Sequence, residues 1–99
     1  MNYPELVDLL THKNQTVRIS AMDTLERWIV LGRNNDYLLW PELKSKFPRE
    51  AEKIMELLHG FAEREVLMDY LQNPSAVIRE MAALRLARMD ALKKAAAVK

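Results

Sequence analysis

Residues 67–88 read LMDYLQNPSAVIREMAALRLAR, and residues 6–27 read LVDLLTHKNQTVRISAMDTLER. The two stretches align without a gap at an offset of 61 residues, and seven of the 22 aligned positions are identical. The identical pairs are Leu6/Leu67, Asp8/Asp69, Leu10/Leu71, Arg18/Arg79, Ala21/Ala82, Leu25/Leu86 and Arg27/Arg88. Each copy has a short leucine-rich segment, a polar turn, and a longer segment that opens with a β-branched residue and arginine. This order predicts a pair of helices that is repeated along the chain.

The turn and second segment of both copies resemble the HEAT-like repeats of the phycocyanobilin-lyase type. Those repeats join a leucine-rich helix, through a turn rich in Asp and Pro, to a Val-Arg pair that a small residue and a leucine follow. The matching residues are Val17-Arg18, Ala21 and Leu25 in one copy and Ile78-Arg79, Ala82 and Leu86 in the other. The Asp that the family has in the turn is Asn14 or Ser75 here.

The spacing of the two copies leaves room for a third between them, because such repeats are about 30 residues long. Residues 47–55 lie near the right phase but lack the Val-Arg pair. The resemblance implies a single all-helical domain over residues 1–99. Its repeat-like units would cover about 3–32, 36–60 and 61–92, and residues 93–99 would form a frayed tail. We expect an all-α fold of five or six helices in antiparallel pairs, stacked as a short HEAT-like right-handed solenoid or as a compact helical bundle.

Start and stop signals support six helical segments. Asn2, Asn14 and Ser75 are good N-caps, and Gly32 and Gly60 are suited to end helices. The least regular segment is 37–47, which we predict to be a short or kinked helix because a proline lies inside it. The predicted helices cover about 3–12, 15–31, 37–47, 48–59, 61–72 and 76–92.

Composition limits the chemistry of the chain. It has 49% hydrophobic and 29% charged residues and no cysteine. A disulfide, a thiolate zinc site and a cysteine nucleophile are therefore excluded. No apolar run approaches the roughly 20 residues of a transmembrane helix, and the N-terminus has no signal-peptide pattern. We therefore expect a cytoplasmic protein.

No motif for catalysis or for cofactor binding is present. The two glycines are too few for a phosphate-binding loop or a dinucleotide fingerprint. His12 and His59 are 47 residues apart, and neither belongs to a clear metal-binding pattern. We therefore expect no metal, no cofactor and no enzymatic activity.

Arg18 and Arg79 occupy the same position in the two copies. One interpretation is structural: each arginine would join adjacent repeats through a carboxylate or through the carbonyl groups at the end of a neighbouring helix. The other is binding of an anion or a phosphate group. The shared position favours the structural role.

Basic residues are concentrated near the C-terminus. Residues 1–74 carry 9 basic and 12 acidic groups, whereas residues 75–99 carry 6 basic and 2 acidic groups. Such a group could contact nucleic-acid phosphates, an acidic protein or an anionic membrane. The interpretation that we favour is a solvated helix end, where cations are favourable. The candidate residues for anion or nucleic-acid binding are Arg85, Arg88, Lys93 and Lys94.

Aromatic and aliphatic residues are dense in segment 37–47, which also departs most from the repeat pattern. Tyrosine and tryptophan are frequent anchors of protein interfaces. The alternative is that these side chains form the core of a small domain. The candidate residues for a protein interface, or for a homodimer contact, are Tyr37, Leu39, Trp40, Leu43 and Phe47.

The function that these features favour is a non-catalytic protein–protein interaction module. It would be an adaptor, a chaperone-like subunit or a small inhibitor that docks on a larger assembly. The alternative is a nucleic-acid-binding protein that uses the basic C-terminal helix. A second alternative is a small enzyme or a regulatory subunit of an enzyme.

Overall fold

The computed structural model describes residues 2–31 and 36–97. This part of the chain contains six α-helices and no β-strand, which confirms the predicted all-α fold of five or six helices. The helices are α1 (Tyr3–Leu9), α2 (Gln15–Val30), α3 (Asp36–Lys46), α4 (Ala51–His59), α5 (Arg64–Tyr70) and α6 (Ala76–Ala97).

The chain divides into two compact units, Met1–Gly60 and Phe61–Lys99. Their boundary falls where the second and third repeat-like units were expected to meet. The wider expectation of one domain stays a prediction.

The first unit contains helices α1 to α4. Helix α1 packs against α2 and α3, and α4 packs against the same two helices. The rings of Tyr3 and Trp28 meet edge to face with their centroids 5.4 Å apart, so the start of α1 lies beside the end of α2 and the two helices are antiparallel. The core of this unit consists of Tyr3, Leu6, Val7, Leu10, Ala21, Met22, Leu25, Leu39, Leu43, Phe47, Ala51, Ile54, Leu57 and Leu58.

The second unit is the helical pair α5 and α6. Arg64 Nη1 lies 2.7 Å from Asp90 Oδ1, which places the start of α5 beside the fifteenth residue of α6 and makes this pair antiparallel as well. Its buried apolar side chains are Leu67, Val77, Ile78, Met81, Ala82 and Leu86.

Local signals set most of the helix ends. The side chain of Asn2 accepts a hydrogen bond from the amide of Glu5, and that of Asn14 accepts from Thr16 and Val17, so both are N-caps as predicted. Gly60 ends α4 with φ 74° and ψ 23°, a left-handed conformation that a side chain would disfavour. The predicted stop at Gly32 lies outside the described residues.

Four predicted helix boundaries are wrong by two or three residues. Helix α1 ends at Leu9 instead of near His12, because Leu10, Thr11 and His12 donate to carbonyls three residues earlier and tighten into a turn. Helix α4 begins at Ala51 instead of Pro48, because the amides of Glu50 and Ala51 both donate to the Phe47 carbonyl across a turn.

Helix α5 covers Arg64–Tyr70 rather than 61–72. Its N-cap, Glu63, is extended, and the chain between the left-handed Gly60 and Glu63 separates α4 from α5.

Helix α3, in contrast, continues through Pro41 as one helix of 11 residues. Proline has no amide hydrogen and cannot donate to the carbonyl four residues earlier, so the helix forms despite one missing bond.

The internal repeat is reproduced in the geometry of the backbone. Helices α1 and α5 are each seven residues long, and α2 and α6 begin 61 residues apart. The C-caps Leu10 and Leu71 have nearly the same torsion angles, with φ −62° and ψ −20° for the first and φ −63° and ψ −19° for the second. Five backbone hydrogen bonds around the first turn recur around the second at the same offset. The two copies are therefore alike in structure as well as in sequence.

Candidate interaction surfaces

The segment 37–47 is divided between core and surface. Leu39, Leu43 and Phe47 follow one another at intervals of four residues and therefore lie on one face of α3. They are 0%, 0% and 7% exposed. These three residues belong to the core of the first unit, which agrees with the alternative interpretation of this segment, because a buried side chain presents no surface to a partner.

The other two predicted interface residues lie elsewhere on α3. The Tyr37 side chain is 72% exposed. Trp40 is half-buried, and the Lys44 ammonium lies over its ring, 5.5 Å from the centroid. This cation–π contact gives Trp40 a partner within its own helix. Of the five predicted residues, Tyr37 therefore offers the most open apolar surface.

Three further apolar side chains that the sequence did not single out as interface residues are exposed close to Tyr37 in the chain. Val30 and Leu31, where α2 ends, are 80% and 65% exposed, and Leu38 is 49% exposed. Leu31 and Tyr37 are six residues apart, so the chain between them can span at most about 20 Å. We call Val30, Leu31, Tyr37 and Leu38 the junction patch.

Val30 and Leu31, the part of the junction patch that lies where α2 ends, are exposed where α2 continues past α1. Helix α1 has 7 residues and α2 has 16. The ring contact between Tyr3 and Trp28 marks the last turn of α2 that α1 reaches. Helical periodicity places Leu31 on the same stripe as Val17, Leu25 and Trp28. Only the length of α1 indicates that this stripe loses its cover after Trp28.

The predicted basic group on α6 also divides into two kinds of residue. Arg85 and Arg88 are half-buried, and both already interact within the protein. Lys93 and Lys94 are exposed, and Leu92 beside them is 72% exposed. The two lysines, rather than the two arginines, are the cations most open to a partner.

Arg18 and Arg79 make equivalent contacts in the two copies. The guanidinium of Arg18 donates to the His12 carbonyl at 2.7 Å, and that of Arg79 donates to the Asn73 carbonyl, also at 2.7 Å. Arg79 donates to the Pro74 carbonyl as well, at 3.0 Å. Each arginine thus closes the turn that precedes its own helix. These hydrogen bonds give each arginine a structural role within its own copy, and the expected link between adjacent repeats stays a prediction.

His12 and Asn73 also have matching roles inside these turns. The Nδ1 atom of His12 accepts from the amide of Asn14 at 3.0 Å, and the Oδ1 atom of Asn73 accepts from the amide of Ser75 at 2.9 Å. An imidazole nitrogen therefore does in the first copy what a side-chain amide oxygen does in the second. This contact gives His12 a local structural role.

An open apolar groove of about 260 Å³ lies between α1 and α2. Thr16 and Ser20 line it, and at the matching positions of the second copy Val77 and Met81 are buried, at 8% and 3% exposed. Ser20 is much smaller than Met81, which leaves space in the first copy, whereas Thr16 and Val77 are of nearly equal size. The other lining residues are Leu6, Leu9, Val17, Ala21 and Thr24.

No cluster of three or more side chains suited to hold a metal ion occurs among residues 2–31 and 36–97. Within the same residues, none of the helices has the length and apolar character needed to cross a membrane. Comparisons with protein-family models, with curated protein sequences and with solved structures find no match to this chain.

Proposed function

We propose that this protein is a non-catalytic protein–protein interaction module built from HEAT-like helical pairs. The observation that carries the proposal is the junction patch, in which four large apolar side chains are between 49% and 80% exposed. Burying a side chain of this size completely is worth about 1.5–3 kcal/mol. A partner that covers the patch would therefore gain several kcal/mol before the costs of association.

The composition of the patch favours a protein over other kinds of ligand. Val30, Leu31 and Leu38 offer no hydrogen-bonding side chain, and Tyr37 combines a large apolar ring with one hydroxyl group. Interfaces between proteins are enriched in such aromatic residues and depleted in charge at their centre. Leu39 and Leu43, on the buried side of the same helix, hold α3 in place beneath the exposed residues. The patch is thus supported by a packed core.

The proposal is tested by affinity capture with the tagged full-length chain, with and without nuclease, followed by mass spectrometry. The doubly substituted variant Leu31→Ser, Tyr37→Ser is compared with the wild type. Lys53→Ser, an exposed position on α4, serves as the control. We expect one stoichiometric protein that survives nuclease and that the patch variant loses, while the control retains it.

Two results would contradict the proposal. One is a partner that binds the patch variant as well as it binds the wild type. The other is enrichment that disappears with nuclease, which would favour nucleic-acid binding instead. Circular dichroism of both variants must match the wild type, so that a loss of binding is not a loss of fold.

A further inference from the structure

The C-terminal part of α6 extends past the helix that packs against it. Helix α5 has 7 residues and α6 has 22, which correspond to lengths of about 10 Å and 33 Å. The ion pair between Arg64 and Asp90 places the start of α5 level with Asp90. Residues 91–97 of α6 therefore lie beyond α5, whereas Met89 and Asp90 lie level with its start. We call residues 89–94, which cover this edge and the first residues beyond it, the α6 overhang.

The apolar face of α6 continues into the overhang without cover. At 100° per residue, Met89 and Leu92 share the face of Ile78 and Met81. Ile78 and Met81 are buried, at 1% and 3% exposed, whereas Met89 is 38% exposed and Leu92 is 72% exposed. The face that holds the helical pair together is thus available to another molecule about two to three turns after Met81.

The charge of the overhang is positive. Lys93 and Lys94 are exposed, and the one carboxylate of this stretch, Asp90, is engaged by Arg64. Across residues 75–99, six basic groups face two acidic ones. A partner that brings negative charge beside Leu92 would therefore be complementary to the two lysines.

We propose that the α6 overhang binds an acidic amphipathic helix of a partner protein. Such a helix would place apolar side chains, spaced three and four residues apart, on Met89 and Leu92. Its Asp or Glu residues would lie opposite Lys93 and Lys94. The proposal concerns a different surface from the junction patch and stands independently of it.

Two other anionic occupants fit the overhang less well. Nucleic-acid backbones bind cations but gain nothing from Met89 and Leu92, and Arg85 and Arg88 are already engaged within the protein. An anionic membrane would need a longer apolar face, whereas the overhang offers two large apolar side chains. An acidic helix uses both the apolar and the basic groups.

The test titrates the full-length chain with a synthetic acidic amphipathic peptide of leucine and glutamate in a helical pattern. The comparison ligands are a scrambled peptide of the same composition, a DNA duplex, and vesicles of phosphatidylserine and phosphatidylcholine. Binding is followed by calorimetry and by amide chemical shifts in nuclear magnetic resonance spectra. We expect a dissociation constant on the order of 10–100 μM for the patterned peptide, with shifts concentrated in residues 85–94.

Variants separate the two components of the site. Leu92→Ser removes the apolar contact, and Lys93→Glu with Lys94→Glu reverses the charge. Each should weaken the patterned peptide about tenfold or more, equivalent to about 1.4 kcal/mol. Lys13→Glu with Lys53→Glu makes the same change of charge at exposed positions of the first unit and should leave binding unchanged.

The proposal is overturned if the scrambled peptide binds as tightly as the patterned one, or if neither binds at millimolar concentration. It is also overturned if the duplex or the vesicles bind more tightly than the patterned peptide. Since the junction patch is intact in every variant, failure here leaves the affinity-capture result for that patch unaffected.

Discussion

Arg18 and Arg79 each reach back six residues to a carbonyl group of the turn before their helix. In each turn, three consecutive amides donate to carbonyls three residues earlier. The carbonyls that follow have no amide donor within the helix and need another partner. A guanidinium carries five donors in a fixed fork, so one side chain can satisfy two carbonyls, as Arg79 does. Lysine, with a single charged group on a flexible stem, is a poorer replacement.

Removing either guanidinium should destabilise its own turn. We expect Arg18→Ala to lower the free energy of unfolding by about 1–2 kcal/mol, because hydrogen bonds from charged groups contribute about this much. Arg79 is exposed, so Arg79→Ala should cost less, below about 1 kcal/mol. Urea denaturation measures both. Arg49→Ala, at an exposed arginine in the turn before α4, is the control. If all three variants lose the same free energy of unfolding, the role of Arg18 and Arg79 is not specific to the repeat.

Leu38 and Leu39 provide a matched pair of neighbours on α3. Leu39 is 0% exposed and Leu38 is 49% exposed. Leu39→Ala should lower the free energy of unfolding by about 2–5 kcal/mol, because it leaves a cavity in the core. Leu38→Ala should change it by less than about 1 kcal/mol. Thermal unfolding followed by circular dichroism distinguishes the two, and the reverse order would place the wrong face of α3 in the core.

At the scale of the elements, the link between α4 and α5 depends on one glycine. Gly60 has φ 74°, where a Cβ atom is unfavourable by about 1–2 kcal/mol. Gly60→Ala should therefore lower the free energy of unfolding by about that amount. Gly60→Asn should cost less, because asparagine tolerates this conformation. Denaturation midpoints of the two variants measure the difference, and an alanine variant as stable as the wild type would show that the turn can relax into another conformation.

Helix starts could be predicted where a capping side chain marks them, as at Asn2 and Asn14. These signals are local, so a single sequence contains them. The predicted starts of α4 and α5 are too early because Pro48 suits a first helical turn and Phe61 directly follows the helix-ending Gly60, while the chain first has to change direction. Helix boundaries that depend on such turns require the three-dimensional path of the chain.

The exposed surfaces were harder to predict, for a related reason. Periodicity assigns Leu31 and Met89 to the apolar stripes of α2 and α6, and it does so correctly. Whether a stripe is covered depends on how far the neighbouring helix reaches. Helices α1 and α5 are both seven residues long, so α2 and α6 each continue beyond them. The first helix is equally short in both copies, which leaves the end of α2 in the junction patch and the α6 overhang without cover from it.

At the scale of the whole molecule, the two units differ in size. The unit Met1–Gly60 contains four helices, and the unit Phe61–Lys99 contains two. Chains below about 40 residues seldom bury enough surface to fold alone. We expect a fragment of residues 1–60 to unfold cooperatively in urea. A fragment of residues 61–99 should show weak helicity and no sharp transition, as measured by far-ultraviolet circular dichroism, and a cooperative transition in that fragment would contradict this expectation.

The division of the chain also separates its chromophores. Both tryptophans, Trp28 and Trp40, belong to the unit Met1–Gly60, whereas the unit Phe61–Lys99 has only Tyr70 and Phe61 as aromatic residues. Tryptophan emission is therefore an intrinsic optical label for the first unit, whereas ellipticity averages over every helix. With both signals recorded on one unmodified sample, coincident midpoints would show that the two units melt together. An earlier loss of ellipticity would give the stability of the α5–α6 pair without any added dye.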